Sequence, residues 1–208
     1  KVWIEPALTT GLVEVRTGAD GRYSTTSLID VPYYAKAWTR VQYNGQDFCL
    51  RLGMPNPSDY DSFVPTHGAE RNFQWQLTGV IEDLKEYDEF FGGMVRVMSK
   101  GYYMDYADAI EFTFTPTGPR IDGSTGETIV RELDLQADSS DLYDIPVAPY
   151  RVTAVLIGND GSRTPLMIGP DIFDNEYSEM AIDWSSDGTC GNGNGVDWNY
   201  IWLDDPNE

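Results

Sequence analysis

Basic residues are scarce in this chain: 14 Lys and Arg stand against 34 Asp and Glu, a formal charge of -20 at pH 7 over 208 residues. A surface of that sign repels phosphate backbones and anionic lipid, which argues against nucleic acid and membrane partners. No apolar run approaches the ~20 residues that a membrane helix needs, and no stretch sustains a helical period. Histidine occurs once, at His67, in a Pro-rich stretch that offers no nucleophile motif around it. Gly191-Asn192-Gly193-Asn194-Gly195 lacks the Lys-Ser/Thr that a phosphate loop requires. Carboxylate pairs for glycoside hydrolysis are guaranteed by composition alone and therefore carry no signal. No catalytic residue is assigned, and the chain reads as non-enzymatic.

Cysteine is almost as scarce. Cys49 and Cys190 fit no zinc spacing. In 47–52 the apolar residues alternate, which puts Cys49 on the outward face with Asp47 and Arg51, while Cys190 sits in a Gly/Asn loop. Two accessible thiols in an oxidising compartment pair, so a Cys49–Cys190 disulfide stapling the two halves of the chain is expected. A chain that opens on Lys1 is expected to be a processed or excised product, and its location extracellular or at a cell surface.

Aromatic residues and turns are abundant. Val13 and Val15 alternate with Glu14 and Arg16, the period of a half-buried strand. Asp20-Gly21, Asn44-Gly45 and Asp160-Gly161 are hairpin turns, because these residues tolerate positive φ. Leu28-Ile29-Asp30-Val31-Pro32 recurs as Leu142-Tyr143-Asp144-Ile145-Pro146. Laying 27–53 over 141–169 pairs Tyr34 with Tyr150, Gly45 with Gly161, Leu50 with Leu166 and Gly53 with Gly169. A duplicated unit of that length predicts one β-rich module used twice. Strands are expected at 2–5, 12–16, 22–26, 33–43, 46–52, 73–80, 94–99, 109–115, 128–135, 150–157, 164–168, 180–184 and 196–203. The Pro-rich stretch 54–72 is read as a linker. The predicted fold is all-β, two tandem Ig-like or transthyretin-like sandwiches, with residues 1–71 the first module and linker and 72–208 the second.

The run Val13-Glu14-Val15-Arg16-Thr17-Gly18-Ala19-Asp20-Gly21-Arg22-Tyr23-Ser24, then 28–32, Tyr33-Tyr34 and Ala37, resembles the carboxypeptidase regulatory-like domain, a small transthyretin-like sandwich. The likeness covers residues 1–53, with 141–169 as a diverged second copy. It implies an accessory or structural module of secreted and surface proteins, and carries over no catalytic residue and no ligand.

Hard cations such as calcium want several oxygens converging from a loop. Three clusters qualify: Asp138, Asp141 and Asp144; Asp171, Asp174, Asn175 and Glu176; Asp183, Asp187, Asn192, Asn194 and Asp197. Calcium is accordingly the candidate cofactor, weighed against Asp and Asn acting only as turn formers. Trp198, Tyr200 and Trp202 share a strand face with Val196. That row is read as core-facing, because Asp197 and Asn199 make the opposite face the more polar, with a sugar-stacking platform as the alternative. Tyr102, Tyr103 and Tyr106 form the expected exposed set for carbohydrate. Two functions are carried forward. One is an extracellular structural or adhesive protein that pairs with copies of itself, with residues 1–5 as the exchanged strand. The other is a carbohydrate-binding module that takes polysaccharide on exposed aromatics.

Overall fold

The alternation read in residues 33–52 builds the centre of the first half of the molecule. The computed structural model describes residues 1–26, 28–191 and 193–204, and it is all-β as expected. The chain divides at Phe91, not at residue 71. Lys1–Phe91 and Ser186–Gly195 form one unit, and Gly92–Ser185 with the chain from Val196 onward forms the other.

The first unit holds a four-stranded antiparallel sheet of β1 (Val2–Pro6), β2 (Val13–Val15), β3 (Tyr33–Tyr43) and β4 (Gln46–Leu52), in the order β2-β1-β3-β4. Asn44 and Gly45 both have positive φ, 47° and 78°, the geometry a two-residue hairpin needs to match strand twist. One face buries Val2, Ile4, Tyr33 and Ala37 beneath Tyr23, Leu28, Phe63 and Phe73. The segment 54–72, expected as a linker, belongs to this cover because its backbone is bonded to the sheet. Tyr33 and Phe63 exchange two hydrogen bonds of 2.9 Å, and Gly53 and Gln74 exchange bonds of 3.0 and 2.8 Å. Residues 22–26 and 73–80 are not strands. Tyr23 turns inward instead, and its hydroxyl donates to the Arg71 carbonyl at 2.8 Å.

The other face carries Trp3, Trp38, Cys49 and Arg51. Sequence alternation places Cys49 and Arg51 on this face, yet both are buried, Arg51 to 3% exposure. Arg51 stacks over Trp38 at 4.8 Å, and its Nη2 donates to both carboxylate oxygens of Asp83, each at 2.9 Å, from the turn Glu82–Tyr87. Burial draws the guanidinium pKa down and Asp83 opposes it. Cys49 is joined to Cys190, with Cα atoms 5.2 Å apart. The bridge closes inside this unit rather than between the two, since loop Ser186–Gly195 returns to it. The Ser186 hydroxyl donates to the Asp47 carbonyl at 3.0 Å, and the Arg51 N–H donates to the Asn194 carbonyl at 3.3 Å. Gly195, at φ 86°, passes so near the Cys49 carbonyl that a Cβ would overlap it, which requires glycine at that position.

The second unit contains two sheets. One has β6 (Ala107–Pro116), β7 (Ile129–Asp134), β9 (Tyr150–Gly158) and β10 (Arg163–Leu166) in the order β10-β9-β6-β7, with β12 (Met180–Ile182) also on β9. The other has β5 (Gly93–Met98), β8 (Asp141–Ile145), β11 (Ile168–Gly169) and β13 (Asn199–Leu203) in the order β11-β13-β5-β8. Each sheet buries alternate residues: Ile110, Phe112, Phe114, Val152 and Ala154 in the first, Val95, Val97, Ile201 and Leu203 in the second. Trp184 is fully buried against Gly93, where a side chain would collide with its ring.

The repeat survives in part. Both copies form an antiparallel hairpin, β3–β4 and β9–β10, and bury Leu50 and Leu166 and Gly53 and Gly169 alike. The segments before each proline differ: 28–32 joins no strand, while 141–145 is β8, paired with β5. Tyr34 is exposed, whereas Tyr150 is buried with its hydroxyl donating to the Pro146 carbonyl at 2.8 Å. The N-terminal strand expected to exchange between copies lies inside its sheet as β1, bonded to β2 and β3.

Removing one member of a buried ion pair strands the other charge, so Asp83→Ala is expected to destabilise the first unit by about 3 kcal/mol. The double variant Arg51→Met with Asp83→Ala recovers most of that loss, because it leaves no charge behind. Urea denaturation of the single and double variants measures both.

Candidate aromatic face of the second unit

β13 lies parallel to β5, which sets Tyr200 beside Arg96 and Trp202 beside Met98. β8 runs antiparallel on the other side of β5 and sets Asp141 opposite Arg96. Because the inward row is Val95, Val97, Ile201 and Leu203, the row formed by Arg96, Tyr200 and Trp202 faces solvent. The expectation that Trp198, Tyr200 and Trp202 face the core is therefore corrected: Trp198 is 52% exposed, Tyr200 is 44% exposed and Trp202 is half-buried. Asp197 precedes the strand and Asn199 only begins it, so neither represents the face on which the interior residues Ile201 and Leu203 lie.

Arg96 is the fixed point of this face. Its Nε donates to Asp141 Oδ1 at 2.7 Å and its Nη2 to Oδ2 at 2.9 Å, a bidentate fork. The Tyr143 hydroxyl donates to the same carboxylate at 3.2 Å, and the Ser139 hydroxyl accepts the Asp141 N–H at 3.1 Å. Held this way, the guanidinium lies 4.6 Å from the centre of the Trp198 ring, a cation–π contact that holds the half-exposed indole. The Arg96 bond holds the Asp141 carboxyl below the usual carboxylate range against the opposing effect of burial. A groove of about 470 Å³ continues from this fork along Met98, Ser99 and Ser140.

The other expected residues are dispersed. Tyr102 and Tyr106 are exposed, but Tyr103 is 2% exposed, and its hydroxyl donates to the Asp204 carbonyl at 2.8 Å. Among the described residues no three His, Cys, Asp or Glu side chains converge as metal ligands. Asp171 caps its own turn by accepting the Phe173 N–H at 2.7 Å. Asp174 accepts from the Tyr177 hydroxyl, and Asn175 donates to the Leu203 carbonyl at 3.0 Å. Glu176 is exposed beside them. Asp187 accepts the Thr189 N–H at 2.8 Å in the first unit with Asn194, while Asp183 and Asp197 belong to the second; Asn192 lies outside the described residues. In the remaining cluster Asp141 is taken by Arg96, and Asp144 accepts the Gly92 N–H at 3.2 Å. His67 is exposed in the turn Pro65–His67. Sequence reasoning missed Arg96, Asp141 as its partner, and Tyr143, since the pairing depends on a register that no local pattern encodes.

No family model, curated protein or solved structure matches this chain.

With its pKa lowered in the fold, Asp141 contributes stability above its unfolded pKa of about 4, and that contribution is lost as pH falls through the folded value. Asp141→Asn is expected to flatten the acid limb of the stability profile. It lowers stability at pH 7 by less than about 1 kcal/mol, the pair being partly solvated; denaturation across pH measures both.

Proposed function

We propose that this protein is a non-enzymatic, extracellular adhesive module that holds polysaccharide on the aromatic face of its second unit. The observation that carries the reading is the solvent-facing row Trp198, Tyr200 and Trp202 beside an Arg96 clamped by Asp141. Tyr200 and Trp202, two apart on β13, are separated by a rise of ~6.6 Å, and Trp198 precedes the strand and is held beside Arg96. Apolar C–H faces of sugar rings stack on such rings, and the Arg96–Asp141 fork supplies a donor and acceptors for hydroxyl groups at their edge. Rings held by strand backbone lose little freedom on binding, which favours affinity. The disulfide suits an oxidising compartment, and among the described residues no helix is long and apolar enough to cross a membrane. The accessory role implied by the carboxypeptidase regulatory-like resemblance of residues 1–53 agrees with this reading.

The ligand class is neutral polysaccharide, since a charge of -20 repels anionic chains. The chain is expected to be retarded in affinity electrophoresis through gels containing neutral glucans or mannans. Trp198→Ala and Tyr200→Ala each remove most of the retardation without lowering the melting temperature. Equal migration of the parent chain in gels with and without polysaccharide would overturn the reading.

A further inference from the structure

The aromatic face leaves one exposed feature of the second unit without a role. After β11 the chain makes a tight excursion whose ends are closed by Ile168 and Tyr177, which exchange bonds of 2.8 and 3.1 Å. Asp171 pins the tip through the Phe173 N–H, and its carbonyl accepts the Asp174 N–H at 3.3 Å. This turn needs the aspartates at its shoulders; nothing in it needs apolar side chains between them. Yet Ile172 is 48% exposed and Phe173 is 96% exposed. Burying a phenylalanine is favourable in proportion to the apolar area removed from water, a gain this side chain leaves almost wholly unrealised.

Beside the tip lies a cavity of about 550 Å³ walled by Tyr102, Met167 and Leu203, with Glu176 and Asp204 at its margin. Tyr102, Met167 and Tyr177 extend the exposed apolar surface around it. The shoulders Asp171 and Asp174 and the neighbouring Glu176 form no ion pair with Lys or Arg among the described residues. The Tyr177 phenol is pushed up, first by its bond to Asp174 and then by the charges of Asp174, Glu176 and Asp171, which marks the negative field over the patch.

We propose that this acid-rimmed apolar tip and cavity form a docking surface for a cationic segment of a partner protein, in which an apolar residue packs on Phe173 and flanking lysines or arginines meet Asp171, Asp174 and Glu176. Charge selects this occupant. A second copy of the chain brings its own -20 and the same acidic rim, and an anionic bilayer is repelled likewise. A basic flank instead neutralises carboxylates that pair with no Lys or Arg among the described residues, within a screening length of ~8 Å.

The test uses the whole chain and a fluorescent synthetic peptide with a central Leu-Phe pair flanked by lysines, followed by anisotropy. Binding is expected, weakening as salt is raised. Phe173→Ala lowers affinity about ten-fold while leaving the melting temperature and polysaccharide retardation unchanged, and Glu176→Gln weakens binding and flattens its salt dependence. Four results would each overturn the proposal. They are equal affinity of parent and Phe173→Ala; equal affinity for a glutamate-flanked peptide; a concentration-dependent dimer in size exclusion that Phe173→Ala abolishes, which would make the occupant a second copy; and Phe173-dependent sedimentation with phosphatidylcholine vesicles, which would make it a membrane.

Discussion

A strand in a sheet that is packed on one face only can bury only one of its two rows of side chains, and the character of the second unit depends on how β13 makes that choice. Its inward row is Ile201 and Leu203, which join Val95 and Val97 of β5. Large rings are already supplied to the interior by Trp184, Phe112, Phe114 and Tyr150, all fully buried. Putting Tyr200 and Trp202 inside as well would add ring volume to a close-packed interior and force Ile201 and Leu203 into water, and overpacking costs ~1–3 kcal/mol per site. The aromatic row therefore faces out. Register then brings Arg96 alongside it and Asp141 alongside Arg96, so one choice of face assembles the whole candidate site.

The first unit answers a different constraint. A single four-stranded sheet leaves two faces and two edges to cover, and open edges invite pairing with other chains. One edge, β2, is three residues long and carries Glu14 beside Lys1 and Arg16. The other, β4, is covered by a loop that arrives from far along the sequence and is tied down by Cys49–Cys190. Closing a loop of 141 residues restricts the unfolded chain by about 5 kcal/mol in the chain-entropy account, a large contribution for so small a sheet. The same face buries Arg51, which is tolerable only because Asp83 forks onto it and Trp38 lies beneath it. Edge pairing between copies thus finds little backbone to use here.

What was legible in the sequence was whatever depends on period and turn chemistry. The all-β class, the Asn44-Gly45 and Asp160-Gly161 hairpins, and most strands of the second unit follow from alternation and from residues that accept positive φ. What depends on register or on distant chain was not. Residues 54–72 have no period, yet Phe63 is fixed to Tyr33 by two backbone bonds. Asp141 reads as one more acidic residue until β8 is set against β5. The polarity rule failed at β13 because Asp197 and Asn199 precede or begin the strand, so their exposure says little about its interior. Ile172-Phe173 did leave a local trace: an apolar pair bracketed by turn-forming aspartates has no core to enter.

The charge of -20 acts differently at the two surfaces of the second unit, and their separation follows from screening. At physiological salt a carboxylate is felt over ~8 Å, so at each surface the local composition adds to the effect of the total charge. On the aromatic face Asp141 is neutralised by Arg96 and no net sign is presented at that pair, which suits uncharged hydroxyl-rich ligands. At the Phe173 tip three carboxylates pair with no Lys or Arg among the described residues, which suits a basic ligand. A neutral polysaccharide and a cationic protein segment would therefore not compete for the same chemistry. Two such surfaces in one unit are what the proposed bridge between a polysaccharide and a protein would require, whereas strand exchange would have to displace β1 from the two neighbours it already pairs with.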